Sequence, residues 1–335
     1  MTSVDEGVGA VTPKPADQPT PPRRPLLARI PDTAPLAVLL VALVVFFSIR
    51  SEFFLNYDNF LNILTAMAIT GIIAAPATML LVAGQFDLSV GSALTFCGVT
   101  MAYVAEREGL LAGVVAAVLA GVAIGSVNGF LVTVVGVNPL ITTLGMLAAL
   151  VGLARVLADG QTLPVREFSG LGTSRPFLDI PLPVLIFAAV MLLFFFAMKY
   201  TVLGRSMYAI GSNRVAARLA GIRTGRLIFV AFLLSGTCVA LAALINVSQL
   251  SAASTNAGNG LELSVITAVV LGGASLAGGR GAIVGTLFGL LVIAVLNNGL
   301  ILLNVSSFWQ DVARGTLLIL AVSFDQLRLR FSDAR

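Results

Sequence analysis

The chain has 335 residues, of which 58% are hydrophobic and only 11% charged. That charge content is about half the roughly 25% of an average globular domain, which excludes a soluble enzyme or scaffold. The sequence pI of 9.5 does not point to nucleic acid, because the positive charge follows the connections between apolar runs. With no histidine, the commonest metal ligand and the usual general base are missing.

Residues 1–33 contain VTPKPADQPTPPRRP. This proline-rich, polar stretch cannot form a packed core and reads as a disordered cytoplasmic tail. Arg23, Arg24 and Arg29 then hold the N-terminus inside. A span needs about 20 apolar residues, and ten apolar runs follow: 34–49, 60–83, 88–105, 110–135, 139–158, 181–200, 227–250, 262–278, 282–303 and 308–325. The predicted fold class is therefore an all-α polytopic membrane protein of about ten helices. Its permease domain covers 34–326, and 327–335 is a cytoplasmic tail. The turns near Gly84–Ser89 and Gly136–Asn138 are short, so eight or nine spans with a re-entrant piece are alternatives. Cys97 and Cys238 fall inside runs and read as small buried apolar residues.

Taking the elements in order, DLSV at 87–90 opens the third run, where Asp87 with Ser89 could cap a helix N-terminus. The fourth run carries Gly121, Gly125 and Gly129, and the ninth carries Gly281, Gly285 and Gly289. Glycine at every fourth position lets membrane helices approach closely, so all six read as helix-packing residues. The two sets are offset by 160 residues. Across them, GFLVTVVGVNPLI (129–141) and GLLVIAVLNNGLI (289–301) share 7 of 13 positions. ELSV at 262–265 echoes DLSV at an offset of 175. With ten crossings the halves would be inverted repeats; recurrence by composition alone is the competing explanation. The loop 159–180 is the longest on the outer side, and its Arg166, Glu167, Arg175 and Asp179 are candidate docking charges for an external partner.

The connection from Lys199 to Arg226 holds six cations and no acid. Fourteen of the 20 lysines and arginines fall on the same predicted side, which assigns that side to the cytoplasm. Within this connection Asn213 reads as an N-cap and Gly221 as the residue after a C-cap. The stub helix between them would present Gly211, Asn213, Arg214, Ala216, Ala217, Arg218 and Gly221 to a partner's cleft. An amphipathic segment held by anionic lipid is the alternative.

GQFDLSVGS (84–92), YAIGSNRVAARLAGI (208–222) and LGGASLAGGRGAIVGTLFGLLVIAVLNNGLILLNVSSFWQ (271–310) resemble the permease subunits of ribose-type ABC importers. The resemblance covers about residues 35–325. It implies a fold of the vitamin B12-permease type in which 208–222 is the coupling helix. It also implies import of a monosaccharide or similar small polar solute across a bacterial inner membrane. The implied partners are a cytoplasmic ATPase subunit, a second permease subunit (identical or paralogous) and an extracytoplasmic sugar-binding protein. The chain agrees with that division of labour: neither of its two lysines, Lys14 and Lys199, follows glycine, so it lacks the P-loop that cradles phosphates. It is read as no enzyme, with no cofactor and no nucleic-acid partner. Few acids lie near spans, which speaks against ion coupling, yet an ATP-independent transporter or channel stays open. Candidate pathway residues, able to meet solute hydroxyls without fixed charge, are Gln85, Phe86, Asp87, Ser89, Asn128, Asn297 and Asn298. Phe86 and Phe96 offer stacking faces.

Overall fold

The computed structural model describes residues 34–333. The tail predicted over 1–33 lies outside them. The described chain is helical almost throughout: α1 Ala34–Arg50, α2 Tyr57–Val82, α3 Val90–Glu108, α4 Leu110–Phe130, α5 Pro139–Leu157, α6 Gly170–Thr173, α7 Leu182–Tyr200, α8 Val202–Ser212, α9 Arg214–Leu219, α10 Thr224–Leu250, α11 Leu261–Leu271, α12 Ile283–Leu302 and α13 Ser307–Asp333. A π turn, Leu131–Val135, extends α4. Two short antiparallel strands, β1 Leu163–Pro164 and β2 Ala252–Ala253, pair in the connections.

Six of the described helices are long and apolar enough to cross a membrane: α2, α4 with its π turn, α5, α7, α10 and α12. They make the chain a multi-pass membrane protein. Burial sorts them. The apolar windows of α2 and α10 are each 67% buried, against 28% for α4 and 22% for α5. The first pair is therefore the protein core, and the second presents Leu119, Val127, Ile141 and Val156 outward, as lipid permits.

Helix α10 packs along α2, α3 and α4, and α12 packs along α2 and α11. Helix α3 meets α4 and α5, while α11 meets α12 and α13. Glycine sets the closest approaches. A Cβ at Gly121 would fall on the Gly236 carbonyl oxygen, and one at Gly236 on that of Gly121. Gly125 meets the Phe232 backbone, and Gly129 meets Phe229. Gly71 of α2 lies under the Phe187 ring of α7. Two threonines tie α2 to α12, Thr78 Oγ1 and Thr286 Oγ1 being 2.7 Å apart.

The run expected to span 262–278 does not do so as one helix. Helix α11 stops at Leu271 after 11 residues, about 16 Å of rise, roughly half of the ~30 Å hydrocarbon core. Gly273, Gly278, Gly279 and Gly281 then take φ between +75° and +146°, which ends a right-handed helix. Gly281 therefore sits in this loop, off the helical stripe assigned to it. A Cβ there would touch Ala274 and Val82. Gly285 and Gly289 do lie on α12, and they face α11, with Cβ positions on the carbonyl oxygens of Gly272 and Ala268. The glycines of α4 instead face α10, so the offset of 160 aligns like sequences on unlike interfaces.

Candidate functional site

The cationic connection builds one end of the bundle from two helices set at an angle. Thr201 accepts from the Gly204 N–H at 3.4 Å and starts α8. Asn213 is extended, at φ −159°, which breaks the chain direction. Its Oδ1 accepts from the Val215 and Ala216 N–H groups, both at 3.0 Å, and so starts α9. Gly221, at φ +84°, closes α9. Its N–H donates to Arg218 O, and the Ile222 N–H to Ala217 O, as a left-handed C-terminal cap does.

The stub has two faces. Ala217 is 4% exposed and packs into the protein. Val215 and Leu219, four residues apart, are 68% and 84% exposed. Ala216, Arg218, Ala220 and Gly221 are exposed beside them. Sequence reasoning missed Val215 and Leu219; the 3.6-residue period through the stub was the available signal. Arg214 carries a buried Nε without a hydrogen-bond partner. Burial, and then the neighbouring Arg218, hold its guanidinium below the ordinary arginine range.

Gly211 lies on the inner side of α8. A Cβ there would strike the Val82 carbonyl oxygen and come within 2.5 Å of Gly279 N. Those two atoms are hydrogen-bonded to each other at 2.8 Å. One turn earlier, the Tyr208 hydroxyl donates to Gly281 O at 2.7 Å, and burial raises its pKa, so it stays a donor. Helix α8 is thereby fastened to the end of α2 and to the broken segment after α11.

The pathway candidates separate into two groups. Asp87, Ser89 and Asn128 close into a buried knot where α2 has ended and α3 has not begun. Asp87 Oδ1 accepts from the Ser89 N–H and hydroxyl at 3.1 and 2.6 Å. Its Oδ2 accepts from the Ser235 hydroxyl of α10 at 3.0 Å. Asn128 donates to Ser89 Oγ at 2.9 Å, while its Oδ1 is buried without a partner. Gln85 is also buried and donates to the Ala83 and Gly84 carbonyls. Phe86 and Phe96 pack against the apolar core.

Asn297 and Asn298 lie elsewhere, on the wall of a cavity of about 590 Å³ between α2, α11, α12 and α13. None of Gln85, Phe86, Asp87, Ser89 and Asn128 lines it. Asn298 and Asn59 exchange amide hydrogen bonds at 2.8 and 3.0 Å. Asn62, Thr70, Asn259, Ser264 and Arg314 complete the polar wall. These were not singled out from sequence, although Asn59, Asn62, Ala66 and Thr70 recur at helical spacing in α2.

At the far end of α10, the loop 159–180 is a built structure. Val165 N donates to Ser251 O at 2.9 Å, beside the β1–β2 pair. The Ser248 hydroxyl accepts from the Gly172 N–H at 2.7 Å and donates to Phe168 O. Arg166, Glu167, Arg175 and Asp179 all stand exposed on it, with Phe177 and Leu178 between the last two, 61% and 71% exposed.

Residues 59–322 match the family model described as branched-chain amino acid transport system / permease component. The chain is 39% identical over 297 residues to the ribose import permease protein of Escherichia coli strain K12, covering 86% of this chain and 92% of the relative. It is 39% identical over 303 residues to the ribose import permease protein of Bacillus subtilis strain 168, at 86% and 90% coverage. The L-arabinose transport system permease protein of E. coli strain K12 is 38% identical over 296 residues, at 87% and 90% coverage. No solved structure matches.

Proposed function

The chain belongs to the branched-chain amino acid transport system / permease component family, and on that premise we propose that it is the membrane subunit of an ATP-driven importer for a monosaccharide or similar small polar solute. Its similarity to ribose and L-arabinose permeases supports the substrate class. One observation carries the mechanism: α9 is a capped stub whose Val215 and Leu219 project from a cationic connection. An apolar ridge on a short rigid helix suits a cleft in a second protein, and the ATPase subunit is the partner that importers require. In this reading the cationic end is cytoplasmic, the loop 159–180 meets the external binding protein, and a second permease subunit completes the pathway.

The fold proposed is that of the vitamin B12-type permeases, with ten helical segments and two inverted halves. Equivalent packing supports it: α3 pairs with α4 and α5 much as α11 pairs with α12 and α13, and α4 lies on α10 as α12 lies on α2. The broken segments before α3 and after α11 give each half a place where backbone can move at membrane depth, which is tolerated only inside protein. Such a protein performs no bond chemistry. It contributes different affinities for the solute in its inward-open and outward-open forms, and the ATPase biases which form prevails.

The test is twofold. A cysteine at Ser212, exposed at the α8–α9 corner, is expected to resist a membrane-impermeant thiol reagent in intact cells and to react in inverted vesicles. Uptake in proteoliposomes should require the ATPase partner, ATP and the binding protein. Labelling from outside, or robust flux from the purified chain alone, would replace the importer with a stand-alone transporter.

A further inference from the structure

We propose that each copy of this chain holds its own binding site for the hydroxyl groups of a neutral saccharide, in the cavity between α2, α11, α12 and α13. The inference rests on the importer reading and adds to it a place where the solute is held within one subunit.

The cavity, at about 590 Å³, falls inside the roughly 300–1,000 Å³ of small-molecule sites. Its wall is unusual for a membrane helix bundle. Asparagine between membrane helices normally bonds a neighbouring helix, and Asn59 with Asn298 does so. Asn62, Asn259 and Asn297 do not: their side chains make no hydrogen bond among the described residues, and neither does the Thr70 hydroxyl. Arg314 adds a buried, unpartnered Nε to the same wall. An amide offers two donors and an acceptor, and a sugar hydroxyl can take either role. Asn62 and Asn259 are exposed and Asn297 and Thr70 half-buried, so their unbonded groups are open to a ligand that brings many hydroxyls at once.

Charge selects a neutral ligand. No carboxylate is among the described residues lining the cavity, so nothing there draws a cation. The one guanidinium already has Asp311 at 3.4 Å, which leaves no strong call for an anion. Met67, Leu290 and Ile293 supply an apolar floor for the C–H face of a sugar ring, and Ala66 and Ala294 leave room beside it.

The experiment uses the full importer in proteoliposomes with Ala66→Cys as a reporter; Cys97 and Cys238 are buried and stay silent. D-ribose, L-arabinose and glycerol are first screened for uptake. A water-soluble thiol reagent should then modify the reporter, and a sugar that the vesicles import should slow that modification several-fold. Asn297→Ala should raise the KM of uptake about tenfold, as expected for a lost hydrogen bond or two. The loss should fall on KM and spare the maximal uptake rate, a split that a merely structural defect would not give. Uptake without protection, or an unaltered KM in Asn297→Ala, overturns this inference alone. A failure of all three probes to be taken up in the presence of every partner overturns the importer reading and the inference with it.

Discussion

Gly211→Ala inserts one methyl group where the end of α8 meets α2 and the broken segment after α11. The magnitude follows from opposing terms. Alanine in place of glycine within a helix gains about 1 kcal/mol. The new Cβ, however, would land on the Val82 carbonyl oxygen and within 2.5 Å of Gly279 N. Both are backbone atoms, which cannot rotate away as a side chain could. Forcing them apart is overpacking, at about 1–3 kcal/mol. Breaking the Gly279–Val82 hydrogen bond of 2.8 Å in a buried place adds about 1–3 kcal/mol. Net destabilisation is thus about 1–5 kcal/mol. The control is Gly225→Ala in α10, where the nearest atom to the added Cβ is Thr133 Cβ at 4.0 Å, and stability should hold or rise slightly. The assay is thermal unfolding in detergent, followed by the ratio of ATP hydrolysed to solute imported. Gly211→Ala should melt earlier and waste ATP. Equal melting and an equal ratio for both variants would refute the claim that α8 is locked to α2 at this glycine.

Leu219→Asp alters an exposed side chain, so membrane insertion and melting should be unchanged while solute-coupled ATP hydrolysis falls; normal uptake would remove Leu219 from the docking face. Asn213→Ala loses both bonds that start α9 and should weaken the stub by about 0.5–2 kcal/mol. Coupling should drop and recover in Asn213→Asp, and no recovery would show that the cap is not the reason for Asn at 213. Gly285→Leu must displace the Gly272 carbonyl. Less folded protein in the membrane fraction is the expected readout, and wild-type abundance would contradict a tight α11–α12 contact.

Much was legible in sequence because membranes impose blunt rules. Apolar length places helices, since a backbone in lipid must satisfy its own hydrogen bonds; eight of the ten expected runs became helices with ends within a few residues. Local chemistry also reads directly. Asn213 and Gly221 bracket the stub because one side chain can cap N–H groups and only a residue without Cβ settles easily at φ +84°. The run over 262–278 failed for a related reason. Its hydropathy resembles a span, but five glycines among residues 272–281 leave the backbone free to abandon the helix.

Residue type alone thus determined the class of molecule, the cationic end and the bounds of α9. It could not determine direction around a helix or partners across the bundle. Ala217 and Leu219 sit two positions apart, yet one packs inward and the other stands 84% exposed, because only the seating of α9 fixes its rotation. Asn297 and Asn298 are adjacent and both line the cavity, yet only Asn298 joins Asn59 across 239 positions. Contacts between segments so distant in the chain depend on how helices pack, and that arrangement is decided in three dimensions.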